Sequence, residues 1–143
     1  MNKACMIFIV CSLGLLGCSV SAPKLGVQDE QLLPCPISPN CVTSFGDNRD
    51  MSPIMFDGAE QDAHSQLVAI IKTLPRTTII EHNSHYIRAE FRSQLFGFVD
   101  DVEFVLLANS NNQTTIHFRS ASRLGFSDLG ANKSRMEDIK SKF

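Results

Sequence analysis

Arginines and carboxylates alternate along one stretch of this chain, Ala89-Glu-Phe-Arg-Ser-Gln-Leu-Phe-Gly-Phe-Val-Asp-Asp-Val-Glu-Phe104. Arg88, Glu90 and Arg92 fall on one parity; Asp101 and Glu103 share it, as do His117 and Arg119 further on. Such groups have three uses. Guanidinium and carboxylate form bidentate pairs. Carboxylates set in a cleft serve as general acid and base. Asp100, Asp101 and Glu103 could instead ligate a hard cation such as calcium, although no loop of alternating oxygen ligands surrounds them.

A second stretch, Arg119-Ser-Ala-Ser-Arg-Leu-Gly-Phe-Ser-Asp-Leu-Gly-Ala-Asn132, leads arginines, hydroxyls and glycines into an expected helix start. Helix N-termini attract anions through free N–H groups and the macrodipole. The blander account has Arg119 and Arg123 pinning the loop by pairing with Asp100, Asp101 or Asp128. The expected network is Arg92, Asp100, Asp101, Arg119 and Arg123, with Ser127, Asp128 and Asn132 as further candidates. A triad of Ser127, Asp128 and His117 can be drawn, but neither a G-x-S-x-G elbow nor an H-E-x-x-H helix accompanies it. The four histidines are scattered. No catalytic residue, metal site or cofactor is assigned.

Those side chains need elements to hold them. Ala63, Leu67, Ile70, Ile71 and Leu74 recur at helical spacing after Asp57 and Glu60, a capping-box-like start, and Pro75 ends the run. Residues 77–81, 86–92, 99–107 and 114–120 read as strands, with Asn109-Ser-Asn-Asn112 as a hairpin turn. Asn132 can cap a last helix carrying Met136, Ile139 and Phe143. The expected fold is α+β: a four-stranded antiparallel meander with an N-terminal and a C-terminal helix on one face. Parity splits the sheet. Ile87, Ala89, Phe91, Val102, Phe104, Leu106, Ile116 and Phe118 form the core row, and the charged row forms a solvated face of cross-strand ion pairs. Asp100 falls on the apolar parity.

The N-terminus speaks to location. Lys3 precedes an apolar run from Ala4 to Gly17, too short for the roughly 20 residues of a bilayer span and suited to a secretory signal. Leu15-Leu-Gly-Cys18 resembles the lipobox of bacterial lipoproteins, which implies cleavage before Cys18 and acylation there with palmitate-type chains. Leu16 is larger than usual for the motif. Two or three acyl chains anchor far more firmly than one. Ser19, not aspartate, follows, which by resemblance to Gram-negative sorting rules favours an outer-membrane protein facing the periplasm. The expected divisions are a signal peptide at 1–17, a lipidated flexible tether at 18–33 and a single domain at 34–143.

Of the five cysteines, Cys5 and Cys11 would leave with the signal and Cys18 would carry lipid. Cys35 and Cys41 remain, and an even pair in an exported chain suggests a disulfide. Their spacing matches neither the usual zinc half-site nor the C-x-x-C redox motif. Net charge is −2, and no basic run interleaved with aromatics appears, which argues against a nucleic-acid partner.

Three stretches carry a resemblance: 89–104 above, Cys35-Pro36 with Ser38-Pro-Asn-Cys-Val42, and Phe118-Arg-Ser-Ala-Ser-Arg123 running into Gly125-Phe-Ser-Asp-Leu-Gly130 and Asn132. Together they resemble the domain-of-unknown-function 1499 family over nearly the whole chain from about residue 34. The resemblance implies a small bacterial envelope protein and brings no established reaction, cofactor or catalytic residue. The expectation is an envelope lipoprotein acting as a non-catalytic binding or envelope-maintenance module. Its partners would be the membrane, through the lipid anchor, and an envelope protein or anionic ligand. The alternative is a small hydrolase, or a cation- or anion-binding domain, using Asp100, Asp101, Arg119 and Arg123.

Overall fold

Four long strands follow one another where turn residues interrupt the alternation of apolar side chains. The computed structural model describes residues 21–46 and 51–143; the expected signal peptide and Cys18 lie outside the described residues. Strands β5 (Thr77–His82), β6 (Tyr86–Arg92), β7 (Val99–Ala108) and β8 (Thr114–Ser122) are consecutive antiparallel neighbours. Asn83 closes the β5–β6 turn, its side-chain oxygen accepting from the backbone N–H of His85 at 3.1 Å and of Tyr86 at 3.0 Å.

Strand β8 has a second edge, and two short strands share it. β3 (Cys41–Thr43) pairs with its C-terminal half, Cys41 opposite Ala121. β4 (Ile54–Phe56) pairs with its N-terminal half, Ile54 opposite Ile116. The main sheet therefore has six strands, in the order β3-β8-β7-β6-β5 with β4 also on β8. A separate two-stranded sheet joins β1 (Val27–Gln28) to β2 (Gln31–Leu32). Its two-residue loop, Asp29-Glu30, takes positive φ at both positions (49° and 61°), as a tight primed hairpin turn requires.

The expected four-stranded α+β meander is thus overturned. The described residues are mostly β, with sheets of six and two strands and two short helices, α1 (Glu60–Thr73) and α2 (Ala131–Lys140). Strands of two or three residues carry too little alternation to show in sequence. β3 and β4 also sit in proline-, serine- and asparagine-rich chain that reads as loop. They exist because β8 offers an unpaired edge of N–H and C=O groups.

Both helices lie on one face. Ala63, Leu67, Ile71, Met136 and Ile139 are buried against Ile87, Val102, Phe104, Ile116 and Phe118, all part of one apolar cluster. Apart from the single methyl of Ala63, each such side chain contributes about 1.5–3 kcal/mol by leaving water. The helix starts differ from expectation. Ala59 precedes α1 without a side-chain cap, so Asp57 and Glu60 form no capping box. Gly130, at φ 84°, precedes α2, and Asn132 sits inside the helix, fully buried.

The opposite face is covered too. Residues 27–32, expected to be flexible tether, form the β1–β2 hairpin. Leu32 packs there with Tyr86 and Val105, joined by Val27, Phe45 and Leu107. Just before the hairpin, the backbone N–H of Gly26 donates to Glu103 Oε1 at 2.9 Å. The charged row is therefore not a solvated face: Asp101 is 2% exposed and Glu103 0%.

Candidate functional site: a buried arginine–carboxylate belt

Asp101 is the hub of the covered face. It stands opposite Glu90 in the β6–β7 pairing and opposite Ala121 in the β7–β8 pairing, so the ends of three strands converge on it. Arg123, one residue beyond β8, grips both its oxygens: Nε donates to Oδ2 at 2.6 Å and Nη2 to Oδ1 at 2.8 Å. Arg88 Nη2 adds a bond to Oδ1 at 3.0 Å. Arg123 Nη2 also reaches Glu90, whose other oxygen accepts from Arg92 Nη2 at 3.0 Å. Burial pushes the Asp101 carboxyl upward, but the hydrogen bonds and charges of Arg123 and Arg88 outweigh it and hold it below the usual range. Its bonds to Asp101 raise the Arg123 guanidinium, which remains charged.

Glu103, two residues along, lies deeper. Tyr86 Oη donates to its Oε1 at 2.9 Å, and Arg119 Nη1 approaches Oε2 at 3.5 Å without completing a hydrogen bond. Burial dominates here and raises the Glu103 carboxyl. Burial and the neighbouring Glu103 carboxylate raise the Tyr86 phenol in turn. Glu103 Oε2, Arg88 Nε and Arg119 Nε are buried without a hydrogen-bond partner. A cavity of about 220 Å³ opens beside Arg119, lined also by Ser21, Pro23, Asp101, Ala121, Ser122 and Arg123.

The expected network is therefore partly assembled and partly divided. Arg92 joins Asp101 only through Glu90 and Arg123. Arg119 pairs with Glu103, not with Asp100 or Asp101. Asp100 points to the helix face, where Arg135 Nη2 donates to Oδ2 at 2.5 Å and the guanidinium lies 4.7 Å from the Phe91 ring centre. Adjacent residues of a strand face opposite ways, so Asp100 and Asp101 do not share a site.

The loop candidates turn out to set the start of α2. Asp128 accepts from the backbone N–H of Asn132 at 2.7 Å and of Gly130 at 3.0 Å. Burial pushes its carboxyl up, and these amides pull it below its ordinary value. Asn132 donates to Asn40 O and Ser122 Oγ, both at 3.0 Å, and accepts from Ser120 Oγ at 2.6 Å. Ser127 Oγ accepts from the backbone N–H of Leu129 at 3.3 Å. His117 stacks on Phe45 with ring centres 4.0 Å apart and meets Ser44 Oγ at 3.2 Å. Ser127, Asp128 and His117 thus have separate partners and no triad geometry. Among the described residues no group of three or more His, Cys, Asp or Glu side chains is placed to hold a metal ion.

Residues 31–143 match the family described as "Protein of unknown function (DUF1499)". The chain belongs to that family. No curated protein matches it. Among solved structures, the crystal structure of TTHA0849 from Thermus thermophilus is similar with a TM-score of 0.32 and 7% identity, over 71% of this chain and 86% of that one. A likeness that distant carries no argument about function.

The stretches that resemble DUF1499 meet at one end of this DUF1499 domain. Cys35 and Cys41 are joined in a disulfide with Cα atoms 5.7 Å apart. Inside that loop Asn40 accepts from the Ser122 N–H at 3.0 Å and donates to Gly125 O at 2.6 Å. Sequence reasoning left Arg88, Glu90, Glu103 and Tyr86 outside the network and missed Arg135. Parity placed the first three on the right face. Arg135 had one signal, its place three residues after Asn132 and so on the same side of α2.

Proposed function

We propose that this chain is an envelope lipoprotein, acylated at Cys18 and held at the outer membrane facing the periplasm, where it acts as a non-catalytic binding or envelope-maintenance module. The observation that carries the reading is the sequence Leu15-Leu-Gly-Cys18 at the end of a short apolar run. The Cys35–Cys41 bridge supports it, because disulfides persist in oxidising compartments. The belt supports the non-catalytic part. Asp101 is held ionised between Arg123 and Arg88, whereas an efficient acid–base group needs a pKa near the working pH. Metabolic labelling with a tagged fatty acid tests the anchor. Label should enter the wild-type chain and be absent from Cys18→Ser; label retained by the variant contradicts the reading.

One observation favours a second reading, an anion-binding domain. Arg119 Nε is buried without a partner, and its side chain lines the 220 Å³ cavity beside Arg123. A small oxyanion there would gain charge-assisted hydrogen bonds. Calorimetric titration with inorganic phosphate should give binding that Arg119→Met abolishes; no heat in the wild type removes this reading. Its partners would then be an anionic ligand and, through the lipid, the membrane.

A further inference from the structure

The strand-connecting turns at the two ends of the main sheet differ in kind. One end carries Asn83, Ser84 and His85 between β5 and β6, and Asn109 to Gln113 between β7 and β8, all polar and exposed. At the other end, the β6–β7 loop exposes Leu95 (81%), Phe96 (71%) and Phe98 (51%). The β8–α2 loop exposes Leu124 (47%), Phe126 (76%) and Leu129 (97%). The two loops are neighbours: Arg123 N–H donates to Val99 O at 3.0 Å, and residues of both line one shallow pocket that includes Phe98 and Leu124. The disulfide loop stands beside them through Asn40 and adds Ile37, fully exposed. Patches of this kind on a small domain mark a contact surface. Leu129 sharpens the point, since it takes φ 54°, a conformation unfavourable for a bulky side chain, and projects into solvent.

The chain itself says what lies there. From Gly26, bonded to Glu103 in the middle of the covered face, it runs back to Pro23 and Ser21 beside Ser122 and Arg123. The described chain thus begins at the end of the sheet that bears the apolar loops. Cys18 is three residues further on, within about 11 Å of Ser21 by the reach of an extended chain. We propose that the three loops are a bilayer-docking surface, whose apolar side chains insert into the interface of the membrane that holds the acylated Cys18. This rests on the lipid-anchor reading above. From that end a three-residue link falls well short of the roughly 30 Å spanned by the ten residues of β7, which favours the apolar end as the one facing the membrane. Apolar and aromatic side chains on an amphipathic surface enter the headgroup–acyl boundary in this way.

The sequence contains no tryptophan, so a single introduced one reports its own surroundings. Mature lipidated Phe96→Trp, Phe126→Trp and Asn111→Trp proteins are reconstituted into phosphatidylethanolamine–phosphatidylglycerol vesicles containing brominated lipid. Flotation with the vesicles reads the anchor, and bromine quenching reads the docking. The expected result is flotation of all three, with blue-shifted, strongly quenched emission at 96 and 126 and unquenched emission at 111. Flotation without quenching at 96 and 126, or equal quenching at 111, overturns the docking while leaving the anchor intact. A blue shift that depends on protein concentration and not on vesicles assigns the patch to a second copy and also overturns it. Failure to float overturns the anchor reading and this inference together.

Discussion

Arg123 holds Asp101 by two parallel hydrogen bonds, Nε to Oδ2 at 2.6 Å and Nη2 to Oδ1 at 2.8 Å, beneath a covering segment that leaves Asp101 2% exposed. This pair joins the end of β8 to the start of β7 and, through Glu90, to β6. What the sequence presents as a row of exposed charges is an interior layer except at Arg92, whose side chain is about half exposed.

Asp101→Ala should therefore cost about 3–5 kcal/mol, the usual penalty for stranding buried partners, here Arg88 and Arg123. Asp138 is the control. It pairs with Lys142 on the surface, with side-chain exposures of 52% and 35%, and Asp138→Ala should cost no more than about 1 kcal/mol. Urea melts of the two variants decide the matter, and equal small losses would contradict a buried belt.

Asp101 and Glu103 should respond to pH in opposite senses. Asp101 is held below its unfolded value, so its contribution is present above that value and is lost as pH falls through the folded pKa. Glu103 is raised, so the folded state favours its neutral form, and stability declines as pH rises from the unfolded pKa through the folded one. Glu103→Gln should accordingly gain relative to wild type as pH climbs from about 4 towards neutrality, the unfolded carboxyl lying near 4.3. The check is the difference in urea midpoints across that range; a difference that stays flat, or runs the other way, would show that burial does not govern Glu103.

How much of this was legible depended on segment length. The helical stripe from Ala63 to Ile71 and the alternation from Ile87 to Phe118 marked the core residues correctly, because each extends over enough positions to reveal its period. The fold class was not legible. β1 to β4 are two or three residues long, and their pairing is decided by the free edge of β8 and by the Asp29-Glu30 turn. Missing the hairpin has a direct consequence for the site: without Leu32 and Gly26 on the second face, Glu103 reads as part of a solvated face and falls outside the expected network. The parity that put Asp100 with the apolar row was informative, and Arg135 explains how a carboxylate is held there.

The disulfide should stabilise the same end of the molecule. Closing a seven-residue loop contributes about 2.4 kcal/mol in the chain-entropy model. The loop also carries Asn40, which binds Ser122 and Gly125. The double variant Cys35→Ser/Cys41→Ser should lose about that much in urea melts, and reductant should lower the wild type alone. A wild-type midpoint indifferent to reductant would contradict a structural role for the bridge.

Intact-mass measurement on protein purified from the native envelope tests the central claim most directly. The account predicts a chain that begins at Cys18, carries the added mass of a diacylglyceryl group and an amide-linked acyl chain, and is lighter by the two hydrogens lost in the Cys35–Cys41 bridge. A chain that begins elsewhere, or one that begins at Cys18 with no lipid mass, would contradict it.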